Sequence, residues 1–155
     1  MTYKGFFSPK NPKKYKGDPT NIIYRSSWEK RVMSHLDENE AVVEWSSEET
    51  IVPYYDPNTK RTRRYFPDFI ATFRLPDGSL KTTMIEVKPK KETMEPKKRK
   101  VTRAYVTEVV TWANNSAKWE YARAYCAKRG WNFQILTEDD IFGVKEPKPK
   151  RSKNK

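Results

Sequence analysis

The sequence predicts an α/β fold, and three observations predict it. A helical stretch with one apolar face lies near the N-terminus, the middle of the chain reads as short β-rich runs broken by turns, and helical periodicity then returns ahead of one more apolar run. At 155 residues there is room for one compact domain with a proper core, but a charged fraction of 34% and many lysines suggest that some of the chain is not packed. The reading is therefore a basic arm over residues 1–20, a folded domain over 21–144 and a basic flexible tail over 145–155.

The arm carries Lys4, Lys10, Lys13, Lys14 and Lys16 among prolines and glycines, a composition that resists regular structure. Tyr3, Phe6, Phe7 and Tyr15 interrupt it, so part of the arm is a candidate to dock on the domain. Ser26-Ser27-Trp28-Glu29 then fits a capping box, and Trp28, Val32 and Leu36 recur at helical spacing, predicting a helix over 26–37.

Between Val42 and Lys88 the pattern changes to β-rich runs: Val42 to Trp45, Thr50 to Tyr55, Thr62 to Leu75 and Leu80 to Lys88. Asp56-Pro57-Asn58 and Pro76-Asp77-Gly78-Ser79 separate them, and a meander of antiparallel hairpins follows. The clearest hairpin joins Phe69–Leu75 to Leu80–Val87. Residues 89–100 form a lysine-rich linker, kept out of a helix interior by Pro89 and Pro96. Val101 to about Arg129 is helical, with Trp112, Trp119, Ala122 and Cys126 on one face, a candidate division at Asn114-Asn115-Ser116, and Gly130 placed to end it. Trp131–Leu136 reads as a buried strand, and Glu138-Asp139-Asp140 as the start of a short last helix.

Lys and Arg outnumber Asp and Glu by 32 to 20, and a net charge of +12 favours a polyanionic partner, nucleic acid first. No stretch approaches the roughly 20 apolar residues of a spanning helix, and the N-terminus lacks the apolar core of a signal peptide, so the chain reads as soluble, unexported and without a membrane partner. Cys126 and His35 are each the single residue of their type, which excludes an internal disulfide and a Cys/His zinc site. A catalytic metal must then sit on carboxylates.

In Met84-Ile85-Glu86-Val87-Lys88 the strand alternation sends Glu86 and Lys88 to one face, and Ile85 and Val87 to the other. Asp68, after Pro67 at the start of the preceding strand, falls across the hairpin from Glu86. Two carboxylates thus converge beside an ammonium. Cleaving a phosphodiester needs a hard cation on the phosphate oxygen, an activated water and compensation for developing negative charge. Mg²⁺ on one or two carboxylates meets the first need, and Mn²⁺ suits an all-oxygen site equally. Lys88 is placed to orient or help deprotonate the water. Glu29, on the edge of the first helix's apolar face, is the candidate third carboxylate. Its competing role is the capping box, returning to the Ser26 N–H.

Phe66-Pro67-Asp68-Phe69 followed by Ile85-Glu86-Val87-Lys88-Pro89 resembles the PD-(D/E)xK nuclease signature, and Ser27-Trp28-Glu29 resembles the glutamate helix of its transposon-endonuclease-like branch, over residues 22 to 138. The resemblance implies a restriction-endonuclease-like core, a mixed β-sheet flanked by helices. It also implies that Asp68 and Glu86 bind Mg²⁺, that Val87 lends its backbone carbonyl, that Lys88 is the catalytic lysine and that Glu29 helps hold metal or water. A closer likeness includes the arm, in Gly5-Phe6-Phe7, Asn11 to Pro19 and Tyr24 to Glu29: it resembles nucleases of tailed bacteriophages that act on the filled head before the tail attaches. That likeness implies double-stranded phage DNA as substrate, head or neck proteins as partners, and a setting in the host cytoplasm and virion.

Four basic clusters flank this constellation: the arm, Lys60 to Arg64, Lys88 to Arg103 and the tail. Arg61, Arg63 and Arg64 lead into Pro67-Asp68, and Lys90, Lys91, Lys97, Lys98, Arg99 and Lys100 follow Lys88, so these are the candidate phosphate contacts. They offer no evident helix for major-groove readout, which predicts weak sequence preference and strongly salt-dependent binding. The rival reading is a structural head or neck protein that grips DNA without turnover; a third is an RNA-binding protein. Two acids where phosphate must approach repel it, which counts against any purely basic binder. A homodimer is the candidate assembly for cutting both strands.

Overall fold

A computed structural model describes residues 4–143, and the tail expected from residue 145 lies outside the described residues. The chain runs β1 (Gly5–Phe6), β2 (Ile23–Tyr24), α1 (Ser27–Glu38), β3 (Val42–Ser47), β4 (Val52–Asp56), β5 (Arg61–Tyr65), β6 (Phe69–Arg74), β7 (Leu80–Val87), α2 (Arg103–Arg129), β8 (Asn132–Leu136) and α3 (Glu138–Phe142). The main sheet has the order β3-β6-β7-β8. Its first two pairings are antiparallel, and β8 joins β7 in parallel after the long α2 crossover, so the sheet is mixed as expected.

Side-chain alternation divides the core into two layers. Phe69 and Ala71 of β6 and Ile85 of β7 pack with Val32, Met33 and Leu36 of α1. Met84 of β7, with Ile70, Phe133 and Ile135 beside it, packs on the opposite face with Trp119, Ala122 and Cys126 of α2. Gly130 closes α2 in the left-handed conformation at φ 69°, which a side chain would oppose. No helix among the described residues is long and apolar enough to cross a membrane.

Four expectations change. Trp131–Leu136 is not a buried strand: β8 lies at the edge of the sheet beside β7, and its residues are exposed or half-buried. Thr62–Leu75 is not one strand: Phe66-Pro67-Asp68 separates β5 from β6, because Pro67 has no N–H for a ladder, and the two halves join different sheets. The strands are not a simple meander either, since β3 pairs with β6 while β4 and β5 form their own two-stranded hairpin. That hairpin docks on α2 through Val52, Tyr54 and Tyr65. Asn114-Asn115-Ser116 does not divide α2, because Asn114 Oδ1 accepts from the Tyr54 hydroxyl at 3.2 Å and Asn115 is buried, so both asparagines are held within the helix. The linker contains one short 3-10 turn, Lys90–Thr93.

The arm docks extensively. β1 pairs with β2, and Phe7 and Tyr15 enter the α1-side core with their rings edge-on to Trp45 at 5.9 and 4.7 Å. Asp37, a buried carboxylate near the end of α1, accepts from the backbone N–H of Lys10 at 2.8 Å and of Asn11 at 3.0 Å. Lys14 Nζ donates to the carbonyls of Asp37 and Asn39 at 2.8 Å each, satisfying the helix terminus. Tyr15→Ala should therefore cost about 3 kcal/mol of unfolding free energy in urea titration, as for a buried aromatic. A loss below about 1 kcal/mol would mean that the arm is peripheral to the fold.

Candidate active site

The antiparallel register pairs Phe69 with Ile85, and one step further the same register sets Asp68 opposite Glu86. Asp68 Oδ2 accepts from the Val87 N–H at 2.8 Å, and the Asp68 N–H points to Glu86 Oε1 at 3.4 Å. Glu86 is 5% exposed. Lys88 Nζ lies 3.6 Å from Glu86 Oε2, and the Lys88 N–H donates to Leu136 of β8 at 3.0 Å, which fixes the backbone beyond β7. The Asp68 carbonyl accepts from the Glu48 N–H at 3.1 Å, with Glu48 in the left-handed region at φ 54°. Such strain is held in place by its surroundings, and here it lies beside the constellation.

Burial, then the like charge of Glu86, pushes the Asp68 carboxyl well above its ordinary value; the Val87 N–H and Lys88 act the other way. Burial also raises Glu29, offset by the Ser26 hydroxyl and the Arg25 N–H. Glu29 Oε2 accepts from Ser26 Oγ at 3.2 Å while Ser26 Oγ accepts from the Glu29 N–H at 3.1 Å. Glu29 thus meets the Ser26 hydroxyl and not the expected Ser26 N–H, so the capping box is only half formed, and the charge of Glu29 is also felt at Asp68. Among the described residues, no three Asp, Glu, His or Cys side chains converge closely enough to hold an ion between them.

The donor chemistry still fits a hard divalent cation. Asp68 and Glu86 bring two carboxylates against the single ammonium of Lys88, and Asp68 Oδ1 has no hydrogen-bond partner among the described residues. Mg²⁺ needs only one or two carboxylates because it keeps several of its waters.

The basic residues singled out in the sequence are distributed around this site unequally. Arg63 pairs with the buried Asp56 at 3.3 Å, Lys90 with Asp139 at 3.1 Å, and Arg99 takes both oxygens of Glu108 at 3.1 Å. Arg64 stacks on Phe66. Arg61, Lys91, Lys97, Lys98 and Lys100 are exposed and make no ion pair among the described residues. Sequence reasoning missed Tyr65, whose buried hydroxyl faces Glu86 and Trp119 without reaching hydrogen-bond geometry to either, and Lys118, on the helix above them.

A mixed sheet that sets an aspartate abreast of a Glu-x-Lys pair on the neighbouring strand defines the PD-(D/E)xK class of nucleases. The chain belongs to the TnsA-like endonuclease family, whose N-terminal domain matches residues 39–138. It is also 40% identical over 146 residues to the head completion nuclease of Enterobacteria phage T4, covering 91% of this chain and 95% of that protein. The family match begins after Glu29 and includes Asp68, Glu86 and Lys88.

Two acids held side by side weaken the metal-free fold. Because the folded Asp68 carboxyl lies above its ordinary value of 3.8, folding takes up protons there, and stability falls as pH rises from that value through the folded one. Asp68→Asn keeps an oxygen for the Val87 N–H and removes the repulsion. In EDTA at pH 7 to 8 its Tm should exceed that of the wild type, with the gap closing towards pH 4. A lower Tm for the variant at neutral pH would contradict this electrostatic picture.

Proposed function

We propose that this chain is a phage head-completion endonuclease whose hydrolysis of double-stranded DNA is Mg²⁺-dependent and is carried by Asp68, Glu86 and Lys88. The observation that supports the reading best is the convergence of Asp68 and Glu86 beside Lys88, on adjacent strands, in a strongly basic chain. Asp68, Glu86 and the Val87 carbonyl would hold the cation. When bound, it supplies Lewis-acid polarisation of a phosphate oxygen and makes a water easier to deprotonate. Lys88 orients the attacking water and stabilises the negative charge gathering on the phosphate. Tyr65 is kept neutral by burial and by Glu86's charge, so it contributes no competing anion.

Glu29 takes a supporting part, as helix cap and as a charge near Asp68. Arg61, Arg63, Arg64, Lys90, Lys91, Lys97, Lys98, Arg99 and Lys100 supply phosphate contacts that position the duplex without reading its sequence. Packaged DNA in the phage head before tail attachment is the substrate proposed, with head or neck proteins as partners. The host cytoplasm and virion are the corresponding setting, and a homodimer is the simplest way to cut both strands. Non-catalytic gripping is the weaker reading, because acids placed at the phosphate site repel DNA unless a cation bridges them.

Cleavage of linear and supercoiled duplex DNA in Mg²⁺ tests this reading. Asp68→Ala and Lys88→Ala should each lower the rate at least about 100-fold while retaining most of the DNA affinity. Wild-type protein that binds but never cuts, or variants that cut as well as it does, would overturn the assignment.

A further inference from the structure

Lys118 lies on α2, over the face of the sheet that carries Met84 and, two residues on, Glu86. Its Nζ stands 5.7 Å from the centre of the Tyr65 ring and 5.9 Å from that of Tyr54. The side chain is half-buried, yet among the described residues the ammonium has no carboxylate within 4 Å and no hydrogen-bond acceptor. Burial first, then the positive charge of Lys88, holds it below the ordinary lysine value, while Glu86 acts the other way. Lys88 from the strand and Lys118 from the helix therefore share one electrostatic environment with Glu86 between them in charge.

Aromatic faces attract a cation but accept none of its N–H donors in ordinary hydrogen-bond geometry. A half-buried lysine is normally paired, and here no oxygen partner is present among the described residues. Substrate chemistry supplies one, since a phosphodiester presents two non-bridging oxygens and Lys88 can take only part of their charge. The rings of Tyr54 and Tyr65 face the Lys118 ammonium.

We propose that Lys118 contacts the substrate, donating to a non-bridging oxygen of the DNA phosphate seated at Glu86 and Lys88. This rests on the nuclease reading above. The alternative is that Lys118 only packs its stem on Tyr54 and Tyr65, and Lys118→Met preserves that packing while removing the charge.

The test compares the full-length wild type with Lys118→Met, Lys118→Gln and Lys118→Arg. The readouts are thermal stability, the salt dependence of binding to a duplex with Ca²⁺ in place of Mg²⁺, and kcat/KM in Mg²⁺. A folded neutral variant should show a salt slope shallower by about one and a kcat/KM at least about 10-fold lower, and Lys118→Arg should regain most of the slope. A neutral variant with wild-type slope and wild-type kcat/KM would reduce Lys118 to a packing residue. A shallower slope in a protein that never cuts, wild type included, would sink the nuclease reading and leave the phosphate contact standing.

Discussion

The register between β6 and β7 is the constraint on which the rest of the structure depends. Pairing Phe69 with Ile85 places both apolar side chains against α1 and brings Asp68 abreast of Glu86. A slip of one residue would turn Ile85 out of the core and carry Glu86 to the wrong face, so hydrophobic burial and the meeting of Asp68 with Glu86 are specified by the same pairing. β8 reinforces it from the other side, through parallel pairing with β7 and the bond from the Lys88 N–H to Leu136. The site is thus built on strands held from both edges, with only Asp68 and Lys88 projecting past the ends of the ladder.

The same pairing carries an electrostatic cost. Two acids facing each other would be a poor choice in an inert hairpin, and Asp68 is brought to Glu86 although its charge is disfavoured there. The surroundings over-determine the arrangement: the Val87 N–H anchors Asp68, the Glu48 N–H anchors the Asp68 carbonyl, and the α1 core fixes Phe69 beside it. The arm belongs to this support, since Phe7 and Tyr15 pack on Trp45, which pairs across the sheet with Ala71 of β6.

Local signals made much of this legible in the sequence. The turn Pro76-Asp77-Gly78-Ser79 and the alternation on both sides of it fixed the hairpin, and with it the meeting of Asp68 and Glu86. Ser26 capped α1 as its hydroxyl suggests, and Gly130 ended α2. What stayed hidden depended on partners distant in the chain. Nothing local to Thr62–Leu75 reveals that its two halves enter different sheets, and Asn114-Asn115-Ser116 looks like a break until Tyr54 supplies a partner. Asp37 reads as a surface acid until the arm's N–H groups arrive. Lys118 is one lysine among many in a charged helix, and only the fold places it over Tyr65 and near Glu86.

The central claim is that Asp68 and Glu86 jointly hold a divalent cation, and Mn²⁺ titration followed by electron paramagnetic resonance, with and without duplex DNA, tests it most directly. Saturable binding to the wild type that is lost in Glu86→Gln, while the variant remains folded, is the predicted result. Mn²⁺ binding that is equal in the two proteins, or absent from the wild type even with DNA present, would contradict the account.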